Sequence, residues 1–374
     1  MTPCLASPQS PSTRRLTRVD SPITTATVAS SGVTLTELRA ALPQATRCHH
    51  GPCTYRLLRL TEVGRGDPHT GNTNGPTPET ANVRSAVHEY GGGAIQAPSS
   101  DIGVGFRYAY DYPPTNLHSA LQADPEFAPP LLVKAHGGPT ARTSTTFRLD
   151  VQFWTSRGFA VLDVDYGGST GYGKAYRQSL LGNWGLLDVD DVKHAALYCV
   201  LQKKANANWI CIDGRSAGGY TTLAALTFTN TFRAGASLYG IGDLSLLADE
   251  THKFESRYLE GLIGPYPEAK EMFDARCPIL HLDQLTCPAI LLQGDEDKVV
   301  PPSQAETMYA AHRKKGLPST LILYKGEQHG FRQSNHISHA LLSEYSFFCQ
   351  TFGFELQQEG DFKGIKIGER VEIE

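Results

Sequence analysis

The segment Gly214-Arg215-Ser216-Ala217-Gly218 follows directly on the apolar run Trp209-Ile210-Cys211-Ile212 and leads into a helix-like stretch, 220–229. A G-x-S-x-G between a strand and a helix has the form of a nucleophile elbow. The turn is too sharp for side chains at the flanking positions, which would collide with the neighbouring strand and helix, so both are glycine. The strain lifts the serine hydroxyl clear of the sheet, within reach of a base. This motif commits the chain to a strand-turn-helix at its centre and hence to an α/β fold.

The surrounding pattern agrees. Short apolar runs at 131–135, 159–165, 209–213, 234–239, 289–293 and 320–324 read as strands covered on both faces. Helical patterns lie between them at about 147–157, 186–203, 217–229, 302–315 and 336–350. The alternation predicts an α/β-hydrolase fold, a doubly wound and mostly parallel sheet, over 106–358. Residues 1–105 are rich in Ser, Thr, Pro and Gly and are expected to be largely irregular, and 359–374 reads as a C-terminal tail.

In such a sheet the reactive residues sit in loops at the carboxyl ends of the strands. The base for a serine must titrate near neutrality, which favours histidine. The histidine needs a carboxylate that fixes its tautomer, and the chain order is Ser, Asp, His. Among 13 histidines, His329 in Gly326-Glu327-Gln328-His329-Gly330-Phe331 is the best placed after a strand; His252, His281 and His336 lie outside such loops. The acid comes from Asp295, Glu296 or Asp297, and Asp297 is favoured because the loop must first leave the strand. The oxyanion of acyl transfer needs two N–H donors. One is the backbone of Ala217. The other is expected in His136-Gly137-Gly138-Pro139, from Gly138 with Gly137 as the alternative. His136 itself reads as a structural hydrogen-bonding residue. The loop Tyr166–Gly173 lacks both the G-x-G-x-x-G spacing and the Walker Lys-Ser pair, so it reads as a turn near the site rather than a phosphate cradle.

Bulk properties exclude several other classes. The formal net charge is −4, from 34 basic and 38 acidic residues, with no long basic run, so nucleic acid is not an expected partner. No apolar stretch approaches the roughly 18 residues of a membrane span. Of eight cysteines, Cys199, Cys211, Cys277, Cys287 and Cys349 lie in or beside apolar segments and read as packed thiols. The Cys48-His49-His50-Gly51-Pro52-Cys53 loop has no second ligand pair at zinc spacing, and no metal is expected there. Residues 1–18 carry three arginines and no acid before position 20, as in a transit peptide, but cytoplasmic residence is the default expectation. Glu255 and Arg257 read as an exposed helix pair rather than pocket residues.

Taken together, the motifs His136-Gly137-Gly138-Pro139, Asp165 to Gly173, Gly182-Asn183-Trp184-Gly185, Gly214 to Tyr220, Asp297 to Pro301 and Glu327 to Phe331 resemble the prolyl oligopeptidase family of serine peptidases, within its acylaminoacyl-peptidase and dipeptidyl-peptidase-like branch. They occur in the right order over about 130–358. The resemblance implies Ser216 as nucleophile, Asp297 as orienting acid and His329 as base. It implies hydrolysis of short or N-blocked peptides through an acyl-enzyme, with no cofactor. The alternatives on the same residues are a carboxylesterase and a non-catalytic relative; Pro139, where many esterases carry a third glycine, leans towards the peptidase. Family members carry a β-propeller ahead of the hydrolase. Here Ser21 to Thr24 and Val87 to Gly93 resemble its opening pieces, but only about a dozen residues separate Gly93 from Phe106, so most of the propeller is expected to be missing. An exposed propeller-facing surface is expected to favour a homo-oligomer.

Overall fold

In the computed structural model of the chain, the described residues are 108–115, 128–144, 146–250, 258–357 and 360–374, together with the backbone of short strands at 47–48, 51–52, 58–59 and 93–96. In chain order the main elements are β1 (Tyr108–Tyr112), β2 (Leu131–Ala135), α1 (Leu149–Ser156), β3 (Ala160–Asp165), α2 (Lys174–Gln178), α3 (Leu187–Leu201), β4 (Ile210–Arg215), α4 (Ala217–Phe228) and β5 (Ala234–Leu238). There follow α5 (Leu244–Glu250), α6 (Tyr258–Leu262), α7 (Lys270–Ala275), β6 (Ala289–Gly294), α8 (Pro302–Lys314), β7 (Ser319–Tyr324), α9 (Ser334–Phe352) and β8 (Arg370–Ile373).

The sheet order is β8-β7-β6-β5-β4-β2-β3-β1, and strands Gly93–Gln96 and Leu58–Arg59 continue it beyond β1. Strands β2 to β8 pair in parallel, while β1 runs antiparallel to β3. The chain passes from β2 to β3 on one side, then returns to place β4 on the other side of β2. The strand order therefore reverses between β2 and β4, where loops at the carboxyl ends diverge and leave a crevice.

Both faces of the sheet are covered, which is why β2, β3, β5, β6 and β7 are buried at every position. One core joins Leu131, Val133, Ile212 and Leu291 to Val192 of α3, Leu223 of α4 and Met308 of α8. The other joins Leu132, Ile290 and Ile322 to Trp154 of α1 and to Tyr345 and Phe348 of α9. Trp154 meets Phe159 and Tyr345 edge to face at 5.2 and 5.9 Å. Burying each such ring contributes about 1.5–3 kcal/mol. The charge of Lys134 is paired: it lies on β2 in register with Asp213 of β4 and donates to its carboxylate. Helix α8 starts on Pro302 and ends in Arg313 and Lys314, whose charges suit the negative end of its dipole. Helix α9 stops at Gly353, whose φ of 75° is the left-handed conformation of a helix C-terminus.

All six expected strands and five expected helices form within about three residues of their predicted ends. The stretch 359–374 is not a free tail, because Arg370–Ile373 pairs with β7 as the last strand of the sheet. Its alternating exposed and half-buried pattern is that of an edge strand, and four residues were too few to stand out. Helices α5 to α7 were not anticipated. The five thiols named above are buried and free. The transit-like residues 1–18, the side chains of the Cys48–Cys53 loop, the propeller-like pieces from Ser21 to Thr24 and 87–92, Glu255 and Arg257 lie outside the described residues.

Candidate active site

The strained elbow is present. Ser216 has φ 56° and ψ −122° between β4 and α4, and its N–H donates to Leu238 O at 3.0 Å. A non-glycine residue at positive φ is costly, so the surrounding structure must hold it there. Two glycines make room. A Cβ on Gly214 would stand 2.1 Å from Gly218 O, and one on Gly218 would stand 2.1 Å from Ala135 O. The helix and strand β2 thus touch backbone to backbone beneath the serine. Below them, Asp188 accepts from Gly185 N at 2.6 Å and from Thr221 Oγ1 at 2.6 Å, tying the Asn183-Trp184-Gly185 turn to the first turns of α4.

The structure brings Ser216, His329 and Asp297 into one hydrogen-bonded line. His329 Nε2 lies 2.8 Å from Ser216 Oγ, and its Nδ1 lies 2.8 Å from Asp297 Oδ2. The carboxylate can only accept, so Nδ1 carries the proton and Nε2 is left to accept from the serine. Asp297 is 3% exposed. Its Oδ1 accepts from Val299 N and Val300 N, both at 2.9 Å, and its Oδ2 also accepts from Gln293 Nε2 at 3.2 Å. Four donors on two oxygens saturate the carboxylate and fix its plane. Of the other two candidate acids, Asp295 turns away to accept from Gly326 N at 2.7 Å. The His329 ring is half-buried and packs edge on against Tyr239, with centroids 5.0 Å apart.

Gln293 escaped the sequence reading. It lies next to last in the otherwise apolar strand Ala289–Gly294, and a polar residue in that place was the signal available. Fully buried, it donates from Nε2 to Asp297, to Val300 O at 3.0 Å and to Gly294 O at 3.2 Å. Its Oε1 has no partner among the described residues.

Of the residues expected to supply oxyanion donors, Ala217 follows the serine directly and Gly137, the alternative to Gly138, packs against the elbow. Ala217 is the first residue of α4, where backbone N–H groups lack intrahelical partners and the helix dipole favours negative charge. Gly137 lies against the elbow: a Cβ there would sit 2.9 Å from Arg215 O and 3.6 Å from Ser216 Cβ. Gly138 has φ 119°, which side chains rarely adopt. The peptide joining Gly137 to Gly138 is held by its carbonyl, which lies 2.9 Å from His136 Nδ1. A carbonyl only accepts, so Nδ1 bears the proton. Burial holds the His136 pKa below the ordinary value, and Nε2 lies 2.6 Å from Ser169 Oγ, which itself donates to Tyr166 O at 2.7 Å. The ring also stacks on Tyr166, whose hydroxyl donates to His136 O at 2.7 Å. His136 thus has a hydrogen-bonding partner at each ring nitrogen and a stacking partner in Tyr166. Tyr258, which was not anticipated, donates to Gly138 O at 3.1 Å and lies 2.8 Å from Thr140 Oγ1.

The loop Tyr166–Gly173 packs as a turn beside the site. Tyr172 OH donates to Asp165 Oδ2 at 2.5 Å, and Gly167 N donates to Asp191 Oδ2 at 2.7 Å. No group of His, Cys, Asp and Glu among the described residues has the arrangement to hold a metal ion, and no described helix is long and apolar enough to cross a membrane. The arrangement as a whole can remove a serine proton, hold the resulting imidazolium against a buried carboxylate and offer N–H groups to a developing oxyanion.

Comparison with known proteins agrees with this geometry. The sequence profile of the prolyl oligopeptidase family matches residues 145–355. A solved puromycin-hydrolyzing peptidase of Mycobacterium tuberculosis is 40% identical, with TM-score 0.67 over 80% of this chain and 45% of that one. Dipeptidyl peptidase family member 6 of Caenorhabditis elegans is 32% identical over 65% of this chain and 34% of its own. The acylamino-acid-releasing enzyme of Homo sapiens is 31% identical over 54% of this chain and 29% of its own. The chain thus spans less than half the length of each of these relatives. The profile covers more than half of the chain, and on that match the chain belongs to the prolyl oligopeptidase family.

Proposed function

We propose that this chain is a serine peptidase that hydrolyses short or N-blocked peptides through an acyl-enzyme on Ser216. The observation that carries the reading is the unbroken line of 2.8 Å contacts from Ser216 Oγ through His329 to Asp297, with the serine strained at positive φ. The names of its relatives, which specify puromycin hydrolysis, dipeptide release and acylamino-acid release, support peptide-like substrates.

The chemistry follows from the atoms present. His329 Nε2 takes the Ser216 proton as Oγ attacks the carbonyl carbon of the scissile bond. The carbonyl oxygen becomes an oxyanion, received by the N–H groups of Ala217 and Gly138. The imidazolium, stabilised by Asp297, gives its proton to the leaving nitrogen as the C–N bond breaks. Water then enters, loses a proton to His329 and attacks the acyl carbon. Collapse breaks the bond to Oγ, which recovers its proton. No step calls for a cofactor.

We read 106–358 as the catalytic unit, its sheet extended by β8 at one edge and by the strands Gly93–Gln96 and Leu58–Arg59 at the other, and 1–105 as an N-terminal propeller remnant. Cytoplasmic residence and self-association belong to the same proposal and are read by cell fractionation and size-exclusion chromatography. The function is tested with acyl-peptide anilides and short p-nitrophenyl esters side by side. Anilide turnover, lost in Ser216→Ala, supports the peptidase; strong ester turnover with no anilide turnover contradicts it.

A further inference from the structure

Only one of the three triad side chains hangs on an irregular loop without deep burial. His329 lies between β7 and α9, and its side chain is 23% exposed, against 0% for that of Asp297. Something else must hold its ring within hydrogen-bond distance of two partners. The loop is closed at its base by one carboxylate. Glu327, two residues before the histidine, is 1% exposed, and its Oε2 accepts from Arg332 N at 2.9 Å. Its Oε1 accepts from Gln333 N and from His336 Nδ1, each at 2.9 Å. All three donors follow His329 in the chain, so the carboxylate ties the entry of the loop to its exit and to the first turn of α9. Within the ring so formed, Gln328 bridges to Gly330 across the histidine.

The same residue anchors the loop to the acid. Glu327 O accepts from Glu296 N at 3.0 Å, and a Cβ on Gly294 would lie 2.4 Å from that oxygen. On the far side His336 is fully buried, with its ring 5.3 Å from that of Tyr324, and its Nε2 has no partner among the described residues. Glu327 is thus the junction of three pieces: the loop bearing Asp297, the loop bearing His329 and the helix that follows.

We propose that Glu327, held by His336, is a positioning residue for the reaction: it sets the placement of His329 between Ser216 and Asp297 and does not touch the substrate. The inference rests on the triad reading above. An apolar residue could not do this work, because the three donors would then be buried without acceptors. Glutamine cannot do it fully either. Its single oxygen serves two donors, and its NH2 then faces a third N–H. The loop must shift to separate them, and a displacement of about 1 Å at a reacting group costs on the order of 100-fold in rate.

The test is Glu327→Gln, with His336→Phe as a second variant that keeps a ring and removes one donor. Acyl-peptide anilide kinetics are measured for both, alongside Ser216→Ala and the proton resonance of the His329–Asp297 hydrogen bond, assigned by its loss in His329→Ala. The expected result for Glu327→Gln is a fall in kcat of about 10- to 100-fold with KM within about twofold, and a shifted or broadened resonance. His336→Phe is expected to lower kcat by about three- to tenfold in the same pattern, and it decides the matter if Glu327→Gln does not fold. Wild-type kcat in a folded variant, or a rise in KM with kcat and the resonance unchanged, overturns the proposal while the triad stands. Turnover that survives in Ser216→Ala overturns the triad reading instead.

Discussion

Asp297→Asn is the substitution whose outcome follows most directly from the hydrogen bonds. Asp297 accepts from Val299 N and Val300 N on one oxygen and from His329 Nδ1 and Gln293 Nε2 on the other. Asparagine has the same shape but one oxygen and one NH2. Turned to keep the two backbone donors, it points its NH2 at His329 Nδ1, and the imidazole can relieve the clash only by moving its proton to Nε2. That nitrogen then presents a hydrogen to Ser216 and cannot accept one. The expected loss in kcat is about 10³- to 10⁴-fold, or about 4–5.5 kcal/mol of transition-state stabilisation. Loss of one charge-assisted hydrogen bond also costs about 1.5–3 kcal/mol of stability. The assay is steady-state hydrolysis of an acyl-peptide anilide, with circular dichroism and urea unfolding on the same sample. A folded variant within about tenfold of wild-type kcat refutes the tautomer argument.

Three further outcomes follow from the same contacts. Gln293→Leu removes three donated bonds but also the partnerless Oε1, so stability is expected to change by no more than about 1 kcal/mol while kcat falls about tenfold at constant KM; an unchanged kcat contradicts a supporting role for the amide. Gly218→Ala places a Cβ 2.1 Å from Ala135 O, backbone that cannot move aside, and is expected to cost about 3 kcal/mol or more in urea unfolding, with fluorophosphonate labelling lost; near-wild-type stability refutes the close approach. Burial pushes the Asp188 carboxyl up to about 6, against the lowering effect of Thr221 and Gly185. Its folded pKa exceeds the unfolded value of about 3.9, so the folded state binds the proton more tightly and the wild type loses stability relative to Asp188→Asn as pH rises from about 4 to 6, by up to about 3 kcal/mol. A stability difference that stays constant between those pH values counts against this.

Much of the site was legible because the chemistry leaves few options. A serine between two glycines after an apolar run needs an elbow, and a base and acid on later post-strand loops left one well-placed histidine and three adjacent carboxylates. Among Asp295, Glu296 and Asp297 the need for the loop to leave the strand favoured Asp297, and the family resemblance strengthened that choice; which residue turns back under the histidine is seen only in the fold. The strands were readable because residues buried on both faces form unbroken apolar runs. Strand β8 was not, because an edge strand of four residues with charged Arg370 and Glu372 has no such run. Gln293 and Tyr258 were missed for a related reason: a polar side chain in a core acquires meaning only from its partners, here Asp297 and Gly138, which are distant or ambiguous in sequence.

The central claim is that Ser216 is a nucleophile activated by His329. Its most direct test is intact-mass and peptide-mapping analysis after exposure to a fluorophosphonate. The account predicts one covalent adduct per chain, on the peptide containing Ser216, absent in Ser216→Ala and strongly slowed in His329→Ala. A folded wild-type protein that takes no label, or one whose label persists after Ser216→Ala, contradicts it.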